Sequence, residues 1–173
     1  MLYTLLAVDD EPANLRMLER LFRKEFRVLT ASNGEEALDI IRQEEVSLII
    51  TDQRMPGMSG TQFLRKTLNS NPDTVRIILT GFTDVDALTD AINTTRVYQF
   101  VSKPWDPLAL KQIVEDAMRE HERSMEQKRL LEGLLELVRS CPHLFGARVA
   151  GLAPENGAAD DSVSFNISAG KAN

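Results

Sequence analysis

Short apolar runs rich in β-branched residues recur along the chain at Thr4–Val8, Arg27–Ala31, Leu48–Thr51, Arg76–Thr80 and Gln99–Ser102. Each is too short for a stable helix and long enough for a strand. Between them the apolar positions fall at helical spacing over Ala13–Phe22, Glu35–Gln43, Gly60–Leu68 and Asp84–Asn93, with a last helix from Leu108 onward. This strict alternation predicts an α/β fold. Right-handed crossovers lay each helix over a parallel sheet, so both faces of the sheet are covered. Val46–Ile50 and Arg76–Leu79 lack the polar alternation of half-exposed strands, as strands buried on both faces should. Asn33-Gly34, Pro56-Gly57 and Asn71-Pro72 punctuate the pattern with turns, and Asp84 is the expected N-cap of the helix over Asp84–Asn93.

In such sheets a ligand crevice lies beyond the carboxyl ends of the strands, at the point where the strand order reverses. Those ends carry Asp9 and Asp10 after the first strand, Asp52 after the third, Thr80 after the fourth and Lys103 after the fifth. Three carboxylates brought together repel unless a cation sits among them, and an all-oxygen set suits a small hard ion, with Mg²⁺ the natural candidate. A carboxylate so placed can act as a nucleophile toward phosphorus if a metal and a cationic side chain take up the charge that builds on the phosphoryl oxygens. Lys103 supplies that cation, and the Thr80 hydroxyl is a donor able to move toward a phosphoryl oxygen. Singly, each residue reads as a helix cap, a turn former or a solvated lysine. The functional reading rests on their falling at the right strand ends in the right order.

Composition narrows the picture further. The 173 residues are 43% hydrophobic, 27% charged and 6% aromatic, which suits one globular domain with an appendage. A net charge of −6 gives no electrostatic footprint for nucleic acid or for an anionic membrane surface. The single cysteine, Cys141, excludes an intramolecular disulfide, and no apolar stretch approaches the length of a membrane span. These features point to a cytoplasmic protein.

With those motifs in view, residues 1–120 resemble the receiver domains of bacterial two-component response regulators. The acidic pair of that family matches Val8-Asp9-Asp10-Glu11-Pro12, and its phospho-accepting aspartate and loop match Asp52-Gln53-Arg54-Met55-Pro56-Gly57-Met58-Ser59-Gly60. Its hydroxyl and lysine match Thr80 and Lys103-Pro104. The resemblance implies a flavodoxin-like, doubly wound sheet in the order 2-1-3-4-5. It implies that Asp52 accepts a phosphoryl group from a sensor histidine kinase. Asp10, Asp52 and the backbone carbonyl of Arg54 would ligate Mg²⁺ while Asp9 acts mainly through water, and Lys103 and Thr80 would contact the phosphoryl group. Phe100 falls where the family places a switch aromatic that couples the site to the surface of the fourth helix, fifth strand and fifth helix. Arg54, two residues past the acceptor, bears on access of the hydrolytic water, and Gly81-Phe82 suggests a more apolar loop after Thr80. Trp105, with Arg96-Val97-Tyr98-Gln99-Phe100, is similar to receivers attached to cyclic-di-GMP phosphodiesterases, nucleotide cyclases and some transcription activators.

The last helix is expected to outrun the receiver, since Asp106-Pro107 opens it and neither Gly nor Pro interrupts before Gly133. Residues 121–150 form this extension. Arg119–Arg129 is charged almost all round, so such a stretch is marginal alone or is stabilised by a partner. Leu130, Leu131, Leu134, Leu135, Leu137 and Val138 then make an apolar stripe, hidden by a coiled-coil homodimer, by a fold-back hairpin or against an effector domain. Ser124, His121 and Lys128 interrupt the heptad seam. His121 and His143 have no partners at ligand spacing and read as surface residues. Residues 151–173 lack periodicity and are expected to be a disordered tail.

Two further functions compete with the phosphorylation switch. One is an aspartate-nucleophile phosphohydrolase, which would need an acid or base that Arg54 does not supply two residues past Asp52. The other is a receiver scaffold that is never phosphorylated, against which the intact Asp9, Asp10, Asp52, Thr80 and Lys103 argue. A switch of this kind is not an enzyme beyond acting on its own phosphoryl group.

Overall fold

The structure is a computed structural model, and it describes residues 3–81 and 95–140. Strands β1 (Thr4–Val8), β2 (Arg27–Ala31), β3 (Leu48–Asp52), β4 (Val75–Thr80) and β5 (Gln99–Ser102) alternate with helices α1 (Pro12–Phe22), α2 (Gly34–Gln43), α3 (Gly60–Thr67) and α4 (Pro107–Ser140). All strand pairs are parallel, and the sheet order is β2-β1-β3-β4-β5. This is the flavodoxin-like arrangement, with a long C-terminal helix. The helix expected over Asp84–Asn93, its Asp84 cap, Cys141, His143 and the tail over 151–173 lie outside the described residues. The chain divides into two compact units, one through Lys128 and the other from Arg129.

Every residue of β1 and β3 is buried. Alternate residues serve opposite faces, as the two-residue period of a strand requires. Leu6, Val8, Ile49 and Ile78 pack with Ala37, Leu38 and Ile41 of α2 and Phe63 and Leu64 of α3. Leu5, Ala7, Leu48, Ile50, Ile77 and Leu79 pack with Leu18 and Phe22 of α1 and Leu110, Val114 and Met118 of α4. The edge strands β2 and β5 are less buried. Truncating a central leucine to alanine in such a core costs about 2–5 kcal/mol.

Local chemistry fixes the helix ends. Asn33 caps α2 by accepting the Glu36 N–H at 2.9 Å, and Asp106 accepts the Ala109 N–H at 2.8 Å at the start of α4. Ser59 and Gln62 form a reciprocal capping box on α3. Gly57 adopts φ 79°, the left-handed region in which a side chain is strained. Helix α4 continues through Gly133 to Ser140, past the interruption the sequence suggested. Its stretch after Arg119 finds anchors in its own chain: the His121 ring meets Tyr3 edge-on at 6.4 Å, and Lys128 pairs with Asp73 at 2.9 Å.

One charged side chain is enclosed at the amino end of β4. Arg76 is 1% exposed, and its guanidinium donates to the carbonyls of Thr74 (2.7 Å), Asn71 (2.6 Å) and Thr67 (3.4 Å), and to the Thr67 hydroxyl (3.4 Å). Thr67 is the last residue of α3, so the cation sits on the negative end of that helix. Burial pulls the Arg76 guanidinium below its ordinary range, with the charge of Arg96 acting in the same direction. Arg76→Met is expected to destabilise the fold by about 3 kcal/mol in urea unfolding, because it strands buried carbonyls. Arg76→Lys should recover little, since an ammonium cannot span the same fork.

Candidate functional site

The strand register gathers the polar residues at one edge. Val8 pairs with Thr51, Asp52 with Leu79, and Thr80 with Ser102, so the carboxyl ends of β1, β3, β4 and β5 finish level. Asp9 and Lys103 follow β1 and β5 directly, and Asp52 and Thr80 are the last residues of β3 and β4. The sheet order reverses between β1 and β3, where a crevice is expected.

Asp52 and Asp9 converge on one cation. The Lys103 ammonium lies 2.6 Å from Asp52 Oδ1 and 3.0 Å from Asp9 Oδ2. Asp52 Oδ2 accepts the Arg54 N–H at 2.9 Å. Burial pushes the Asp52 carboxyl above its ordinary range, outweighing the hydrogen bond and charge of Lys103, with the charge of Asp9 pushing the same way. For Lys103 burial pulls the ammonium down, but the hydrogen bonds and charges of Asp52 and Asp9 prevail and hold it above the ordinary lysine range.

The remaining expected residues are placed as follows. Asp10 is exposed beside Asp9, and Arg54 is exposed in the loop after β3. Thr80 is buried, and its hydroxyl donates to the Gly81 carbonyl at 3.2 Å. The Lys103 N–H donates to the Thr80 carbonyl at 2.7 Å, tying the ends of β4 and β5 together. Phe100 is half-buried against the core face shared with α2 and α3.

Two contributors were not singled out in the sequence. Asn14 donates its side-chain amide to both Asp9 oxygens at 3.0 Å. A polar residue three positions into an amphipathic helix, after two aspartates, was the available signal. Gly60 lies so close behind β3 that a Cβ there would sit 2.3 Å from the Asp52 carbonyl oxygen, and its N–H donates to the Gln53 carbonyl at 3.1 Å. Only glycine permits that approach.

Among the described residues, no three His, Cys, Asp or Glu side chains meet at metal-ligand spacing. Asp9 and Asp52 converge on Lys103 with no third carboxylate of the described residues beside them, and the Asp9 oxygens accept from Asn14, Lys103 and the Glu11 N–H at 2.9 Å. The expected ligands Asp10 and Asp52 would supply two carboxylates, together with backbone oxygen and water. Such a donor set fits Mg²⁺, which keeps several waters and takes one or two carboxylates.

The family model for the response regulator receiver domain matches residues 5–115. The hydrogenase transcriptional regulatory protein HoxA of Cupriavidus necator is 38% identical over 141 residues, covering 82% of this chain. The chain spans only 29% of that regulator's length and 24% of its Bradyrhizobium diazoefficiens counterpart. Among solved structures, the adenylate cyclase of Rhodopirellula baltica matches with a TM-score of 0.72 at 31% identity, over 76% of this chain and 98% of that one. A CheY-like receiver domain protein of Methanospirillum hungatei matches with a TM-score of 0.69 at 26% identity, over 72% of this chain and 99% of that one.

A raised Asp52 carboxyl has a consequence for stability. Its contribution is largest while it is protonated and is lost as pH rises from about 4, the unfolded value, through its higher folded value. Asp52→Asn removes the buried charge and leaves Lys103 paired with Asp9. In metal-free urea unfolding at neutral pH the variant should be more stable than the parent by about 1 kcal/mol, and the difference should vanish below about pH 4.

Proposed function

The chain belongs to the response regulator receiver family, and on that premise we propose that it is a cytoplasmic phosphorylation switch of a two-component system, with Asp52 accepting the phosphoryl group from a sensor histidine kinase. The observation that carries this reading is the Asp52 carboxylate held between the Lys103 ammonium at 2.6 Å and the Arg54 N–H at 2.9 Å. A carboxylate fixed on both oxygens at the open end of a strand is oriented for attack.

Asp10, Asp52 and the Arg54 carbonyl would hold Mg²⁺ in this proposal. When bound, that ion offsets negative charge on the phosphoryl oxygens. An Asp52 oxygen forms a bond to phosphorus as the bond from phosphorus to the kinase histidine nitrogen breaks, and the electron pair leaves with the imidazole. Lys103, already held fully charged, pairs with a phosphoryl oxygen. The Thr80 hydroxyl exchanges the Gly81 carbonyl for a phosphoryl oxygen, and Phe100 follows it toward the core. Arg54 governs access of water to the acyl phosphate.

The output lies with the C-terminal helix. Leu130, Leu131, Leu134, Leu135 and Leu137 are 41 to 63% exposed, a run of apolar surface that a second copy of the chain covers in a helical dimer. A helix with these residues on one face buries them only against another apolar surface.

The test is intact mass with acetyl phosphate, with and without Mg²⁺, together with light scattering under beryllofluoride. The parent should gain one phosphoryl group only with Mg²⁺, and Asp52→Asn should gain none. A doubling of mass on activation supports the dimer, whereas an adduct without a mass change assigns the leucine face to an effector. The absence of any adduct on the parent would leave the chain an unphosphorylated scaffold.

A further inference from the structure

The Asp9 carboxylate is fully enclosed at 0% exposure, and its acceptor capacity is spent. Oδ1 takes the Glu11 N–H at 2.9 Å and the Asn14 amide at 3.0 Å, and Oδ2 takes the same amide at 3.0 Å and the Lys103 ammonium at 3.0 Å. A carboxylate offers about four lone-pair sites, and here four contacts occupy them. Both Asp9 oxygens are therefore already engaged within the protein, whereas Asp10 is exposed beside it.

Asn14 stands at the third residue of α1, behind Pro12 and Ala13. The N-cap residue, Glu11, makes no side-chain cap. Instead the chain doubles back: Asp9 receives the Glu11 N–H, and the half-buried Asn14 reaches past the helix start to hold both oxygens of the same carboxylate. One amide on two oxygens fixes the rotation of the carboxylate as well as its position. The Glu11 N–H and Lys103 each hold only one oxygen.

We propose that Asn14 is a positioning residue that fixes the plane of the Asp9 carboxylate, so that Asp9 meets the site's divalent cation through water and shares Lys103 with Asp52. This deepens the proposed switch and rests on that reading, because it presumes a cation held by Asp10 and Asp52. Outer partners of this type act on affinity by orienting the groups they touch.

The experiment is calorimetric titration of the full chain with magnesium chloride alone, on the parent, Asn14→Ala, Asn14→Leu, Asp9→Asn and the double variant Asp9→Asn with Asn14→Ala. Alanine suits a helix interior and leucine keeps the branched shape of asparagine, so both variants should fold, and melting curves without metal record any merely structural loss. Both Asn14 variants should bind Mg²⁺ about tenfold more weakly. In the Asp9→Asn background the Asn14→Ala change should add less than about twofold, because the residue it acts through is already neutral. Unchanged affinity in the Asn14 variants, or a full additional loss in the double variant, overturns the inference while leaving the switch intact. A parent chain that takes up no Mg²⁺ overturns both.

Discussion

A parallel sheet covered on both faces leaves its polar business to its two ends. The interior of β1 and β3 has no room for a charge, since every residue of each is buried between helices. Charges therefore collect where the strands stop. At the carboxyl end Asp9 and Asp52 each meet the Lys103 ammonium, at 3.0 and 2.6 Å. At the amino end of β4 the enclosed Arg76 rests on three carbonyls and the Thr67 hydroxyl. Helix α3 connects these two ends. Its first residue, Gly60, abuts the Asp52 backbone, and its last, Thr67, abuts Arg76. The positive end of its dipole thus lies behind the acidic crevice and the negative end beneath the buried cation, each favourable by about 0.3–1 kcal/mol and more where water is excluded.

The charge balance at the crevice explains why the site is poised. Two carboxylates share one lysine, so the cation cannot fully compensate both, and burial pushes the Asp52 carboxyl upward. Asp9 is relieved by Asn14 and the Glu11 N–H, whereas among the described residues the Asp52 carboxylate accepts from the Arg54 N–H and Lys103 alone. The less satisfied carboxylate is the one at the open strand end. A second cation, or a phosphoryl group that draws Lys103 and a metal together, improves a balance that the protein alone leaves short.

The alternation of strands and helices was legible because burial on both faces demands unbroken apolar runs, and the candidate site was legible as a set of polar residues at strand ends. Asp9, Asp52, Thr80 and Lys103 fall at those ends by position alone. Arg76 was not legible as a buried charge: it opens an apolar run, and nothing local says that Thr67, Asn71 and Thr74 will turn three carbonyls toward it. Asn14 was hidden for a similar reason, as its partner lies back across the helix start rather than on a helical face. Gly60 read as the start of the helix over Gly60–Leu68, and its need to be glycine comes from the β3 backbone behind it. The charged stretch after Arg119 looked unsupported because its anchors, Tyr3 and Asp73, are more than fifty residues away. Residues whose roles depend on distant partners escape a one-dimensional pattern.

The energetics of the proposed switch bear on how the site reaches the surface. A hydroxyl that trades a neutral carbonyl for a charged acceptor gains about 1 kcal/mol, the difference between ordinary and charge-assisted hydrogen bonds. Moving a two-state equilibrium from one extreme to the other needs about 5.5 kcal/mol. Thr80 alone therefore falls short. Lys103 is the natural second contributor, because its N–H already holds the Thr80 carbonyl at 2.7 Å while its ammonium holds Asp52 and Asp9. A shift of that ammonium toward a phosphoryl group pulls on the end of β5 and, through the Thr80 carbonyl, on the end of β4. Phe100 lies on β5, two residues before Ser102, so the same backbone that carries the lysine carries the aromatic. In the proposed switch, then, charge at Lys103 would drive a movement of the β4–β5 edge, with the Thr80 hydroxyl as its latch.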